Sequence, residues 1–457
     1  MGSPTRQLFG TDGIRGIAGE FPLTVESTYL IGRALGHDLI RTATNPRVVI
    51  GQDTRESSAW IADRVMLGLT SAGVETHSAG VITTPGVAYL ARSRKYTAGV
   101  VISASHNPWT DNGIKVFSGN GFKLPDSHEL AIEQEIFGLL KNPQKHAEGG
   151  GSLTSSLPGE AALRRAYIEW LAANVHADLS RLRVLVDCAN GAATAEAPEL
   201  FRTCGIQATF INAAPDGRNI NENCGALHPE MVARALTKRG QFDLGVTFDG
   251  DADRALFSDA AGRVVDGDGV LLLAARDMKS RGVLKGSTVV ATTMSNMGLE
   301  IALRNSGVQM VRANVGDKYV LEEMLKSGAT LGGEQSGHVI FRDGEATTGD
   351  GLLTALRVME IMVRSGKTLA ELIADLKVFP QTIQNVRVRE KVPFAQVPDI
   401  QRVITSAERE LDGNGRVVVR YSGTEALARV MVEAESEKKM LSLAQEITGA
   451  IKRALGA

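Results

Sequence analysis

The chain reads as a multidomain α/β protein: three related α/β domains with mixed, largely parallel sheets, followed by a C-terminal α+β domain. Three observations predict this. Strand-like apolar runs alternate with helix-like stretches, the pattern of βαβ units. Similar strand-then-turn openings recur at Val48, Val184 and Val289. Several apolar runs stop abruptly in polar turns, the strand-end position where α/β proteins place their chemistry. At 457 residues the chain is too long for one ordinary core, and about three or four domains is the expectation from length.

Taken in order, Arg47 to Gln52 reads as a strand entering a turn at Asp53 to Arg55, and Ser58 to Ala72 as a helix with apolar residues at helical spacing. Gly99 to Ile102 is a short buried strand that ends in Ser103-Ala-Ser105-His106-Asn107-Pro108, where Pro108 stops both strand and helix. Residues 149–159, rich in Gly and Ser, read as an exposed connection. Strands follow at Arg183 to Asp187, Phe242 to Phe248 and Ser287 to Thr293. Another is expected at Ala329 to Gly332. Breaks near 258–268 and 367–380 complete the expected division into residues 1–155, 156–258, 259–372 and 373–457. The last segment carries strands near Val386, Val417 and Val430, with helices at Pro398 to Glu410 and Lys438 to Leu455.

Composition narrows the function. Hydrophobic residues make up 43% and charged residues 22%, values ordinary for a soluble globular protein. The formal net charge of −2 gives no reason to expect nucleic acid as a partner. Cys188, Cys204 and Cys224 are odd in number and lack Cys-x-x-Cys spacing, which argues against a disulfide framework or a zinc site. No signal-like or membrane-spanning apolar stretch is present, so a cytoplasmic protein with no membrane partner is expected.

Four strand ends carry chemistry. Ser105 offers a hydroxyl. The Gly-x-Ser-x-Gly elbow of a hydrolase is absent, and a second use is as a phosphoryl carrier, whose near-dianionic phosphate needs cations or a metal beside it. Asp249, Asp251 and Asp253 alternate along an extended turn and can converge on one hard cation such as Mg²⁺. An EF-hand is rejected, because its sixth and twelfth positions need Gly and Glu and are here Arg254 and Ala260. Three like charges this close repel unless a cation joins them. Gly333 to His338 places Glu334, Ser336 and His338 on a Gly-flanked loop suited to a hydroxyl-rich ligand. Arg420, Ser422, Gly423 and Thr424, with Arg429 nearby, have the elements of a phosphate cradle, although a plain hairpin turn would look the same. Arg15 lies between glycines in Thr11 to Gly16, open to an anion. Lys115, if desolvated beside other cations, would have a lowered pKa and could act as a general base.

Taken together, Phe9 to Gly16, the Ser-Ala-Ser-His-Asn-Pro turn, Asp249 to Arg254, Gly333 to His338 and Arg420 to Glu425 resemble the α-D-phosphohexomutase superfamily, in the expected order along the whole chain. The resemblance implies four domains around a central active-site cleft. It implies Ser105 as a phosphoserine, and Mg²⁺ on Asp249, Asp251 and Asp253 together with the Ser105 phosphate. Catalysis would fall to Ser105, Lys115, Arg15 and His338. Arg254, Glu334 and Ser336 would bind the sugar phosphate, and Arg420, Ser422, Gly423, Thr424 and Arg429 its non-transferred phosphate. The implied reaction interconverts glucosamine 6-phosphate and glucosamine 1-phosphate. It would pass through a 1,6-bisphosphate, with glucosamine or glucose 1,6-bisphosphate as activator, and would feed UDP-N-acetylglucosamine and cell-wall precursor synthesis. The partner is a small-molecule sugar phosphate, and a homodimer is one assembly open to the chain. Glucose or mannose phosphates as substrates, a Mg²⁺-dependent sugar phosphatase and a non-catalytic sugar-phosphate sensor remain as alternatives. One departure from the family pattern is Ala426, where Pro is usual; it removes no liganding group.

Overall fold

A computed structural model describes residues 7–10, 12–141, 160–344, 346–422 and 426–457. The expected connection at 149–159 lies outside the described residues. The chain forms two compact units, residues 1–294 with 310–374, and residues 295–309 with 375–457.

The first unit repeats one sheet plan three times. In the first sheet, Arg47–Gln52 runs parallel to Glu75–Val81 on one side and to Ala98–Ile102 on the other. Ala98–Ile102 then turns back into the antiparallel strand Asp111–Ser118. The second sheet places Arg183–Asp187 parallel to Gln207–Ile211 and Leu244–Phe248, and Leu244–Phe248 turns back into Ala255–Asp259. In the third, Thr288–Thr292 lies between Gln309–Ala313 and the parallel Leu331–Gly333, which turns back into Val339–Phe341. The three sheets are therefore related, each with a parallel centre and an antiparallel return strand. Ser105, the Asp249–Asp253 cluster and the Glu334–His338 loop occupy the same place in the plan, the turn between third and fourth strands. The strands Ala98–Ile102 and Leu244–Phe248 are buried at every position, as strands covered on both faces must be.

Close packing around the first sheet depends on two glycines. Helices Val25–Thr42 and Ser58–Ser71 meet backbone to backbone. A Cβ at Gly32 would lie 2.2 Å from Val65 O, and one at Gly68 would lie 2.1 Å from Tyr29 O, so any larger residue would drive the helices apart.

The second unit contains an antiparallel sheet in the order Gln381–Arg387, Leu427–Ala434, Gly415–Tyr421. Helices Pro398–Leu411 and Glu437–Leu455 pack on it through Ile400, Leu411, Leu443, Ile447 and Ile451. Several element ends differ from expectation by one or two residues; the second-sheet strand begins at Leu244 rather than Phe242. The third-sheet strand begins at Leu331 rather than Ala329. The strand after Gly415 runs through Arg420 to Tyr421, which pair with Arg429 and Ala428, and Tyr421 stacks on Phe394 with ring centroids 4.3 Å apart. Arg420 is thus a strand residue rather than a loop residue. No helix among the described residues is long and apolar enough to cross a membrane.

Candidate active site

The serine turn is built on a strained residue. Ser105 has φ 54°, a left-handed conformation uncommon for anything but glycine or asparagine, and is 1% exposed. Its Oγ donates to Asp249 Oδ2 at 2.6 Å and lies 3.3 Å from His106 Nδ1. Its amide donates to Ser103 Oγ at 2.9 Å, and Ser103 Oγ in turn donates to Asp53 Oδ2 at 2.7 Å.

Facing it, one ligand oxygen from each of Asp249, Asp251 and Asp253 falls within 4.8 Å of the others. Burial, with Asp253 and Asp251 beside it, pushes the Asp249 carboxyl well above its ordinary value. Burial would raise Asp253 too, but Lys115, His338 and Arg254 hold it below the usual carboxylate range. Asp251 Oδ1 and Asp253 Oδ1 are buried without a hydrogen-bond partner. Orphaned carboxylate oxygens converging on one point are the donor set of a hard divalent cation, so the residues fit a divalent metal.

Neighbouring helices hold this turn. Thr83 caps helix Thr84–Ser93 and brings Thr84 N to 3.0 Å from Asp251 O, while Thr84 Oγ1 donates to Asp251 Oδ2. Gly351, the first residue of helix Gly351–Ser365, donates its N–H to Ala252 O at 2.9 Å.

Lys115 corrects an expectation. It sits on Asp111–Ser118, buried, with Nζ 2.9 Å from Asp12, 2.8 Å from Asp251 and 3.8 Å from Asp253. Burial would depress its pKa, but these three carboxylates raise it above the ordinary lysine value. Its nearest partners are anions rather than cations, so Lys115 is an ammonium and not the lowered-pKa base expected from sequence. Asp12 also pairs with Lys123 and Arg15, and Lys123 reaches Asp317 at 2.7 Å. Burial opposes the Asp12 charge, yet Lys115, Lys123 and Arg15 hold its carboxyl well below the usual range.

A cavity of about 430 Å³ opens beside the cluster, lined by Arg15, His106, Arg254, Asp317, Glu334 and His338 among others. Of the first-unit residues singled out from sequence, Arg15, Asp253, Arg254, Glu334 and His338 line it, whereas Ser105, Lys115, Asp249, Asp251 and Ser336 do not. Burial, then Arg254 and Arg15, push the His106 imidazole down to about 4. Arg254 N–H donates to Asp249 Oδ1 at 3.3 Å, and its guanidinium lies 3.7 Å from Asp253. Glu334 accepts from Gly316 N at 2.9 Å, and Ser336 Oγ lies 3.5 Å from Glu334 Oε2. His338 is turned toward Asp253, 3.6 Å from Nδ1, and its Nε2 accepts from Gly349 N at 3.0 Å. Burial would lower its pKa, but Asp253, Asp317 and Glu334 push it up to about 9. The imidazole is thus held between the Gly349 amide on its Nε2 side and Asp253 on its Nδ1 side.

In the second unit, Arg420 and Arg429 stand directly opposite each other across the Gly415–Tyr421 and Leu427–Ala434 pair. Like charges so placed repel, which suits an anion site. Ser422 is buried, with its N–H on Leu427 O at 2.8 Å. Gly423 and Thr424 lie outside the described residues.

Sequence reasoning missed Asp12, Asp53, Arg55, Lys123, Asn221 and Asp317 as site residues. Asp53 and Arg55 carried a usable signal, since they too follow a strand end. Asp12 and Asp317 carried none apart from flanking glycines.

A strand-end serine hydrogen-bonded to a buried carboxylate triad, beside a cavity lined by both arginines and carboxylates, defines a phosphoryl-transfer site. Known proteins narrow the class. Residues 6–142, 165–262 and 266–379 match the profiles described as phosphoglucomutase/phosphomannomutase alpha/beta/alpha domains I, II and III, and residues 384–450 match the C-terminal domain of that family. A phosphoglucosamine mutase of Koribacter versatilis is 61% identical over 458 residues, covering 100% of this chain and 99% of the relative. Another, of Solibacter usitatus, is 52% identical over 452 residues, covering 99% of each. A solved phosphoglucomutase/phosphomannomutase family protein from Burkholderia thailandensis superposes with TM-score 0.79 at 25% identity, covering 98% of this chain and 99% of that one. An Aspergillus fumigatus N-acetylphosphoglucosamine mutase, solved with GlcNAc-6P and magnesium, shares the fold with TM-score 0.64 at 20% identity, covering 99% and 96%. The chain belongs to the phosphoglucomutase/phosphomannomutase family.

Proposed function

We propose that this enzyme interconverts glucosamine 6-phosphate and glucosamine 1-phosphate, with Ser105 carrying the phosphoryl group. The observation that carries the reading is the Ser105 Oγ hydrogen bond to Asp249, inside a buried carboxylate triad with two unpartnered oxygens. The name shared by the full-length relatives supports the amino-sugar substrate.

Mg²⁺ would be held by Asp249, Asp251 and Asp253 with an oxygen of the Ser105 phosphate. When bound it supplies charge neutralisation at the transferring phosphoryl group. The chain's own residues do the rest. Arg15 and Arg254 line the cavity and offer guanidinium forks to phosphate oxygens. Glu334 and Ser336 hold sugar hydroxyls. Arg420, Ser422, Gly423, Thr424 and Arg429 hold the phosphate that is not transferred. In the first half-reaction the sugar O1 forms a bond to phosphorus as the Ser105 Oγ–P bond breaks, and the proton of the O1 hydroxyl ends on the departing Ser105 Oγ. The resulting 1,6-bisphosphate turns round and returns its other phosphoryl group to Ser105, so one cradle receives either end. Positioning and charge neutralisation dominate such a transfer. A hexose 1,6-bisphosphate primes the dephosphorylated enzyme. A cytoplasmic location and a homodimeric assembly belong to this reading.

The test compares glucosamine, glucose and mannose 6-phosphates, each primed with its 1,6-bisphosphate. Glucosamine 6-phosphate is expected to lead in kcat/KM by about 10–200-fold, the range for a modest difference between substituents. If glucose or mannose phosphate leads, the substrate assignment falls. Release of free phosphate as the main product would replace the mutase with a phosphatase.

A further inference from the structure

The carbonyl of Ser105 is the meeting point of three chain segments. The first is Arg55, 2% exposed, whose Nε donates to Asp53 Oδ2 at 2.8 Å and whose terminal nitrogens reach the serine turn. Its Nη2 donates to Ser105 O and Asn107 O at 2.9 Å each, and its Nη1 donates to Asp111 O at 3.0 Å and to Pro108 O. The second is Asn221, whose Nδ2 donates to Ser105 O at 2.9 Å and to Asn107 O at 3.2 Å. The third is Gly250 of the carboxylate turn. A Cβ there would lie 2.5 Å from Ser105 O and 2.8 Å from Asn221 Nδ2, so only glycine fits.

Asn221 is firmly placed. It takes φ 58°, which asparagine tolerates better than most residues. Its N–H donates to Ala189 O at 2.9 Å. Buried Asp187 ties down both ends of its loop, accepting from Asn212 Nδ2 at 3.1 Å and from Gly225 N at 2.9 Å. Asp187 ends the strand Arg183–Asp187 of the second sheet, next to the Leu244–Phe248 strand that leads into the carboxylates. Arg55 follows a strand of the first sheet, which carries the serine turn. Asn221 is therefore a side chain that ties the backbone of the serine turn to the sheet bearing the metal ligands.

The left-handed conformation at Ser105 is unfavourable for a residue other than glycine and persists only where its surroundings enforce it. Releasing its carbonyl would let the residue relax and swing Oγ away from Asp249. We infer that Asn221 is a positioning residue for phosphoryl transfer, holding the Ser105 carbonyl so that the serine and carboxylate turns stay in register. This rests on Ser105 being the phosphoryl carrier.

The test uses the full-length enzyme and two variants. Asn221→Ala removes the donor, and Asn221→Asp keeps the shape but presents an oxygen to two carbonyl oxygens. Dephosphorylated enzyme is mixed with glucose 1,6-bisphosphate, and the phosphoryl group arriving on Ser105 is followed by rapid-quench intact mass. KM and kcat for glucosamine 6-phosphate, the Mg²⁺ dissociation constant by calorimetry and the melting temperature are measured alongside. Both variants should take up phosphoryl about 10–100-fold more slowly and lose kcat in step, the effect of a reacting atom misplaced by about 1 Å. KM and Mg²⁺ affinity should stay within about twofold. The isosteric Asp variant decides the matter if the Ala variant does not fold. Uptake within twofold of wild type in the folded variants overturns the inference, as does a loss that tracks Mg²⁺ affinity. A wild type that takes up no phosphoryl group at Ser105 sinks the carrier reading, and the inference with it.

Discussion

Ser105 donates its hydroxyl hydrogen to Asp249 across 2.6 Å, although the two residues belong to different sheets. Each lies at the turn between a buried strand and the antiparallel return strand of its own sheet. The hydroxyl that would carry phosphate is thereby placed on the oxygen set that would hold the metal.

Ser105→Ala should fold and lose mutase activity by several orders of magnitude, because no other described hydroxyl donates to Asp249. Wild-type protein should carry one phosphoryl group, about 80 Da, on part of its population, and the variant none. Near-normal turnover in the variant would refute the carrier role.

Asp251→Asn should weaken Mg²⁺ binding by more than about tenfold, since it removes a charge from a hard-cation site. It also deprives Lys115 of a partner at 2.8 Å. Calorimetry with Mg²⁺ reads the first effect directly. EDTA should abolish wild-type activity and added Mg²⁺ restore it; full turnover in metal-free buffer would exclude the metal role.

Much of this site was legible because its turns are local. Ser105, Asp249 to Asp253 and Glu334 to His338 each follow an apolar strand within a few residues, and a strand end is visible in one dimension. Lys115 was misread because its pKa depends on Asp12 and Asp251, which are distant in sequence and reach it only when the sheets assemble. Arg55 had the local signal of a strand end, but its value lies in carbonyls of another turn. Asn221 sits in an irregular loop without periodicity, so nothing local distinguished it. The three-domain repeat was visible in its opening strands. The antiparallel return strand Asp111–Ser118 was not, since Pro108 and three polar residues precede its apolar part.

Arg420→Ala should raise KM for glucosamine 6-phosphate at least about tenfold, the equivalent of one charge-assisted hydrogen bond. Stability should be unchanged or improve by a few tenths of a kcal/mol, because the substitution relieves the repulsion with Arg429 across the strand pair. Some loss of kcat is expected as well, since binding energy far from the reacting end positions that end. Unchanged kcat and KM would reduce this pair to a structural feature of the hairpin.

The last prediction concerns Asp350, which lies outside the reacting groups and beneath the carboxylate turn. It caps helix Gly351–Ser365 through Leu353 N at 2.9 Å and accepts from Tyr167 Oη at 2.8 Å. Burial raises its pKa from 3.8 to about 6, although the Leu353 and Tyr167 hydrogen bonds pull the other way. A carboxyl raised on folding binds more protons in the native state than in the unfolded chain between those two values. Its contribution to stability is full below about pH 4 and is lost as pH rises through about 6. About two pH units correspond to a loss of the order of 3 kcal/mol for this buried group. Asp350→Asn keeps the cap to Leu353 N through its one oxygen, turns its NH2 toward Tyr167 Oη, which then accepts instead of donating, and cannot ionise. The variant should therefore gain stability relative to wild type from pH 4 to pH 7, by an amount of that order, measured as the difference between their urea midpoints converted through m. A difference that stays constant over this range would show that Asp350 titrates at its ordinary value in the folded protein, and one that shrinks would show that it titrates below it.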